Sequence, residues 1–99
     1  MNILKNVEGK TLTISLEGRL DTTTAPELEA VIRSSLDNVT ELILDLSNLD
    51  YLSSAGLRVL LLAQKQMNRK GNMVVRHVCE TVMEVFNMTG FSDILTIEE

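Results

Sequence analysis

Ninety-nine residues carry a formal charge of −5, 44% hydrophobic residues, two Phe, one Tyr and no Trp. A chain of this length hides roughly 60–70% of the surface its unfolded form exposes, which allows one modest, mostly aliphatic core. Nine scattered Lys and Arg and so few aromatic platforms disfavour nucleic acid and anionic membrane surfaces as partners.

The composition therefore predicts one domain over residues 1–99. The opening MNILKNVEGK has no charged segment followed by a long apolar one, and no apolar run approaches the ~20 residues that span a bilayer, so a cytoplasmic location is expected without membrane insertion. Cys79 is the single cysteine, which excludes an internal disulfide and reads as a small packing residue in a reducing compartment.

Ile3, Leu4 and Val7 suggest a short strand turning at Glu8-Gly9 into TLTISLE, where Leu12, Ile14 and Leu16 alternate with polar residues at the period of a half-buried strand. In TTTAPELEAVIRSSL, Leu28, Val31, Ile32, Ser35 and Leu36 recur at helical spacing. Thr24 and Glu27 have the spacing of a capping box, and Pro26 falls in the first turn, where its missing N–H does no harm.

Leu42, Ile43, Leu44 and Leu46 form a nearly continuous apolar run, the pattern of a strand covered on both faces. A short polar loop then leads to a second helix, AGLRVLLLAQKQMNRKG, with a wide apolar arc and with Arg58, Lys65 and Arg69 on its polar stripe; Gly71 reads as its stop. Met73 to Val78 is a further strand, Glu80 to Met88 a short helix ending at Thr89-Gly90, and Ile94 to Ile97 a last strand. The expected order is β-β-α-β-α-β-α-β, an α/β domain whose mixed, mostly parallel sheet starts with a β-hairpin.

Functional residues in such sheets gather where strands lead into helices, here residues 18–23 and 49–56. At a helix start the backbone N–H groups are unpaired and the dipole is positive, so Ser53 or Ser54 can cap the second helix and a phosphate there can be tolerated. Catalytic chemistry finds little support. The glycine spacing of a nucleophile elbow is missing because Leu52 occupies the first place before Ser54, and His77 is the one candidate base. No phosphate-cradling glycine loop suggests a nucleotide cofactor, and one His and one Cys separated by a single residue do not make a metal site. Asp45 and Asp50 read as solvated or capping carboxylates.

The stretches G-R-L-D-T-T-T-A-P-E-L and D-L-S-N-L-D-Y-L-S-S-A-G-L-R-V-L, with F-N-M-T-G-F near the C-terminus, resemble the STAS domain of bacterial anti-sigma factor antagonists over about residues 11–97. That resemblance implies that the serine directly before the small residue and glycine opening the second helix, here Ser54, is phosphorylated by a serine kinase that doubles as the anti-sigma factor. A serine phosphatase would reset the switch. It further implies that Asp21, with Thr22 and Thr23, shares the partner-binding surface with Ser53, Ser54, Ala55 and Gly56. Many relatives carry Asp where this chain has Ser53, so both hydroxyls stay candidates for modification.

Two other readings fit the same residues. One is a constitutive STAS interaction subunit of a transporter or stress-signalling complex; the other is a small enzyme using Ser54 and His77. The pattern leaves the oligomeric state, the sigma factor and the upstream stimulus open.

Overall fold

Residues 1–98 are described by a computed structural model, and Glu99, the last residue of the expected domain, lies outside the described residues. Period-two alternation builds the first two strands. β1 (Asn2–Glu8) and β2 (Thr11–Leu20) pair antiparallel through a turn at Gly9 and Lys10, with Glu8 opposite Thr11. There follow α1 (Ala25–Ser35), β3 (Glu41–Leu52), α2 (Ser54–Asn68), β4 (Asn72–Arg76), α3 (Glu80–Thr89), a 3-10 turn (Phe91–Asp93) and β5 (Ile97–Glu98). The sheet order is β1-β2-β3-β4-β5, and every pairing after the hairpin is parallel. The α/β class and the expected order of elements hold.

Because spatial neighbours are also chain neighbours, right-handed crossovers carry all three helices to one face of the sheet. Burial agrees. Leu12, Ile14, Leu16, Leu42, Leu44, Leu46, Met73 and Val75 pack in one core with Leu28 and Ile32 of α1, Leu60, Ala63 and Met67 of α2, and Val82 and Phe86 of α3. Thr11, Thr13, Ser15, Ile43 and Asp45, on the alternate positions, are half-buried. The expectation that β3 is covered on both faces is thus corrected: helices cover one. Ile43 is apolar because it lies in register between Thr13 and Val74 in mid-sheet, where a β-branched side chain packs against its cross-strand neighbours.

β3 also runs on to Leu52, through residues expected to be loop. Two register irregularities explain it. Between the pairs Ser15–Asp45 and Glu17–Asn48, β3 takes three steps where β2 takes two; between Gly18–Leu49 and Arg19–Tyr51 it takes two where β2 takes one. Each extra residue bulges out and resets the pleat, so Leu46, Leu49 and Leu52 are all buried although they stand three apart.

Smaller differences have local causes. Gly71 is not a left-handed helix cap: α2 is capped by Arg69, and a Cβ at Gly71 would collide with the Thr40 backbone, so glycine is needed there for the close passage of two chain segments. Gly90 does end α3 in the left-handed conformation. β4 stops at Arg76 because His77 turns to φ +59°, outside strand geometry. Ile94 and Leu95 donate their N–H groups to Phe91 O within the 3-10 turn, which delays β5 to Ile97. Among the described residues no helix is long and apolar enough to cross a membrane.

Candidate functional site

The carboxyl ends of β2 and β3 end side by side, with Leu20 paired to Leu52, and both leucines are buried. Ser53 N then donates to Leu20 O at 2.9 Å, one ladder-like bond beyond the strands, and this bond brings the start of α2 against the turn that follows β2. Gly56 completes the approach. A Cβ there would stand 2.6 Å from Leu52 Cδ1 and 2.7 Å from Leu20 Cγ, so the first turn of α2 lies closer to the strand ends than any side chain permits. The two junctions marked out in the sequence meet in space.

The turn after β2 is built on Asp21. Its Oδ1 accepts bonds from Thr23 N at 2.9 Å, Thr23 Oγ1 at 2.7 Å and Thr24 N at 3.2 Å. The Thr23 hydroxyl has the largest effect on the Asp21 carboxyl and, with the N–H groups of Thr23 and Thr24, holds it below its ordinary value of 3.8 against an opposing effect of burial. Thr24 does not form the capping box expected with Glu27. Its Oγ1 instead accepts from Asp21 N at 2.9 Å and donates to Arg19 O at 2.8 Å, while the N–H groups of Ala25 and Glu27 in the first turn of α1 donate to the backbone oxygens of Asp21 and Thr24. Thr22 and Thr23 are exposed beside it.

On the α2 side, Ser53 occupies the N-cap position in extended backbone (φ −101°, ψ 175°), yet its side chain makes no cap bond, and its Oγ is shut away from solvent with no hydrogen-bond partner among the described residues. The expectation that a serine hydroxyl caps this helix is therefore not met by Ser53. Ser54, the first residue of α2, is exposed, followed by half-buried Ala55 and buried Gly56. No acidic side chain stands in the first turn, so nothing there neutralises the positive end of the helix. Between α1 and α2 a shallow groove of about 360 Å³ runs up to this corner, with Thr22 and Pro26 on one wall and Ala55 and Arg58 on the other.

Two features of the corner carried no role in the sequence reading. Arg19 lies 4.1 Å over the Tyr51 ring and 3.9 Å from Asp21 Oδ2, a stack that follows from their pairing across the second bulge. Arg58 read simply as part of a polar stripe, and the groove was invisible without the packing of α1 on α2. Away from the corner, His77 Nδ1 lies 3.1 Å from Asp45 Oδ1, so the imidazole is engaged with a carboxylate and with neither serine. Asp45 also accepts from Ser47 N at 3.0 Å. Cys79 is half-buried at the N-cap of α3, where Sγ donates to Leu49 O at 3.4 Å and packs against the core.

A family model described as "STAS domain" matches residues 2–99. The chain is 39% identical, over 84 residues that cover 83% of it and 72% of the relative, to the Bordetella bronchiseptica protein named "Putative anti-sigma factor antagonist BtrV". It is 27% identical over 101 residues, covering 100% of this chain and 94% of the relative, to the Staphylococcus aureus "Anti-sigma-B factor antagonist". Its fold matches the crystal structure of an anti-sigma factor antagonist from Mycobacterium paratuberculosis with a TM-score of 0.88 at 24% identity, over 97% of this chain and 83% of that one.

Proposed function

The chain belongs to the STAS domain family, and from that premise we propose that it is an anti-sigma factor antagonist whose grip on an anti-sigma factor kinase is switched by phosphorylation of Ser54. Relatives named as anti-sigma factor antagonists support the role. The observation that carries the switch is the contrast between adjacent hydroxyls: Ser54 is exposed at the free end of α2, whereas Ser53 Oγ is withdrawn from solvent. A kinase can reach the first without unwinding the helix. Asp21 shapes the neighbouring wall, and the exposed Thr22 and Thr23 extend the surface that a partner would cover.

Unmodified protein would hold the anti-sigma factor and free the sigma factor; the phosphorylated form would let go, and a serine phosphatase would restore it. The energetics suffice. A phosphate adds roughly −1.5 to −2 charge at neutral pH, and an uncompensated charge enclosed at an interface costs on the order of 3–5 kcal/mol. A hundredfold loss of affinity needs only about 2.8 kcal/mol.

The test is intact mass and phosphopeptide mapping after incubation with ATP and the candidate anti-sigma kinases of the source cell, with Ser54→Ala alongside. One phosphate on Ser54, absent in the variant, is the expected result. Modification of Ser53 instead overturns the assignment to Ser54, and no phosphate with any active kinase overturns the switch and favours a constitutive interaction subunit. In binding assays Ser54→Ala keeps its affinity and Ser54→Asp loses it by roughly a hundredfold; equal affinity of Ser54→Asp and the parent chain counts against a charge-based switch.

A further inference from the structure

Gln64 is the one buried polar side chain among the described residues, 8% exposed on a helix face it shares with Leu57, Leu60, Ala63 and Met67. Its Nε2 donates to Asn68 Oδ1 at 2.8 Å, but its Oε1 is enclosed with no hydrogen-bond partner among the described residues. Turning both amides over exchanges the orphan oxygen for an orphan N–H group, so the deficit stays with Gln64. A buried polar atom left unpaired is unfavourable, and an aliphatic side chain would fill the position without that cost.

Gln64 lines a cavity of about 270 Å³ at the end of the sheet opposite the Ser54 corner, where α2 finishes and β3 and β4 begin. β5 pairs with β4 only at Val75 and Arg76, so the first three residues of β4 border the cavity with no strand beside them on that side. Asn68, Asn72, Thr96 and Glu41 complete the wall, and no Lys, Arg or His lines it. Glu41 has no ion pair among the described residues, and the neighbouring Lys70 is engaged through Nζ with Leu36 O. The C-terminal end of α2 adds its negative partial charge. The volume falls just below the ~300–1,000 Å³ of sites for drug-sized ligands, which sets the occupant as a small molecule.

We propose that this cavity binds a small organic cation carrying N–H donors, a primary ammonium or a guanidinium, with its charge toward Glu41 and the end of α2 and one N–H donated to Gln64 Oε1 as the terminal amide turns into the cavity. The chemistry of the wall selects this class. An anion would meet a carboxylate and a negative helix end with no cation to receive it. A hard metal ion needs several oxygen ligands, and no group of three metal-ligating side chains stands among the described residues. A cation with several N–H groups matches one carboxylate and a set of neutral acceptors, and it supplies the donor that Gln64 lacks.

The full chain is titrated with propylammonium and with methylguanidinium and followed by amide NMR, with acetamide as an uncharged N–H donor and acetate as an anion. Both cations are expected to give saturable shifts of the Gln64 and Asn68 side-chain amides and of the Thr96 backbone amide, and acetamide and acetate none. Glu41→Gln should weaken binding about fivefold, the effect of one charge at close range in a solvated site. Gln64→Met, apolar and of similar length, should weaken it by about as much through the lost acceptor, read at Thr96. Glu84→Gln on α3, away from the cavity, should bind like the parent. Absence of saturable shifts, an equal response to acetamide, or equal affinity of Glu41→Gln and the parent overturns the proposal. So does an equal loss in Glu84→Gln, which would mark a diffuse field rather than a site; if Gln64→Met does not fold, Glu41→Gln decides.

Discussion

Two neighbouring serines meet opposite surroundings within one step of chain. Ser53 is extended, and its N–H is held by Leu20 O, which turns its hydroxyl into the packing of the strand ends; an unpaired buried hydroxyl costs on the order of 1–3 kcal/mol. Ser54, already helical, points outward. Helix-start chemistry does not distinguish the two, since both are polar, small and suited to a cap; only the family resemblance singles out Ser54. Asp45 illustrates the same dependence on surroundings. Partial burial raises its carboxyl, but the Ser47 N–H and the His77 ring outweigh this and hold it below the ordinary 3.8. A carboxyl lowered in the folded state contributes stability that is fully present above its unfolded value and is lost as pH falls through the folded one. Asp45→Asn should therefore melt at lower temperature than the parent near neutral pH, with the gap closing as the pH drops below about 3.8. A gap that stays constant down to about pH 2.5 would refute the assigned role of the carboxylate.

Strand β3 and helix α2 form one mechanical unit with the end of β2. The bulges let three leucines spaced at three reach the core, and Leu52 then meets Gly56 and Leu20 at the contact that fixes where α2 begins. Gly56→Ala would force a methyl into that contact. The expected cost is about 1–3 kcal/mol, measured by denaturant or thermal unfolding, because Leu20 and Leu52 are both buried and have little room to move. An unchanged melting temperature would mean that the strand ends yield easily, and the exposure of Ser54 would then need another cause. The helices themselves were readable from their apolar spacing. The second half of β3 was not: SNLDYL lacks alternation, and the bulges that excuse the lack exist only once β2 lies beside it.

The sheet carries its helices on one side, so its two faces differ in what they contribute. Leu44 is fully buried beneath the helices, while Ile43 faces the other way and is half-buried. Leu44→Ala should cost about 2–5 kcal/mol, which for a domain of this size lowers the melting temperature by more than roughly 10 °C, and Ile43→Ala should cost clearly less. Equal losses would show that something covers the second face in solution. The continuous apolar run of β3 suggested cover on both faces, because hydropathy records that a position is shielded and not what shields it. Ile43 is shielded by its neighbours in the sheet, Thr13 and Val74.

Short-range rules account for the class, the order of elements and the N-terminal hairpin: alternation and helical spacing act within a few tens of residues, and the order of elements and the hairpin hold in the structure. The pairing of 18–23 with 49–56 was readable as two separate junctions, but their meeting required adjacent parallel strands of matched length. The bonds of Asp21 are local, to Thr23 and Thr24, whereas which hydroxyl is open and which groove Arg58 lines were decided by contacts between segments some thirty residues apart. Those contacts depend on Leu20 O, the bulges of β3 and the missing Cβ of Gly56, and such distances in space have no signature in local composition.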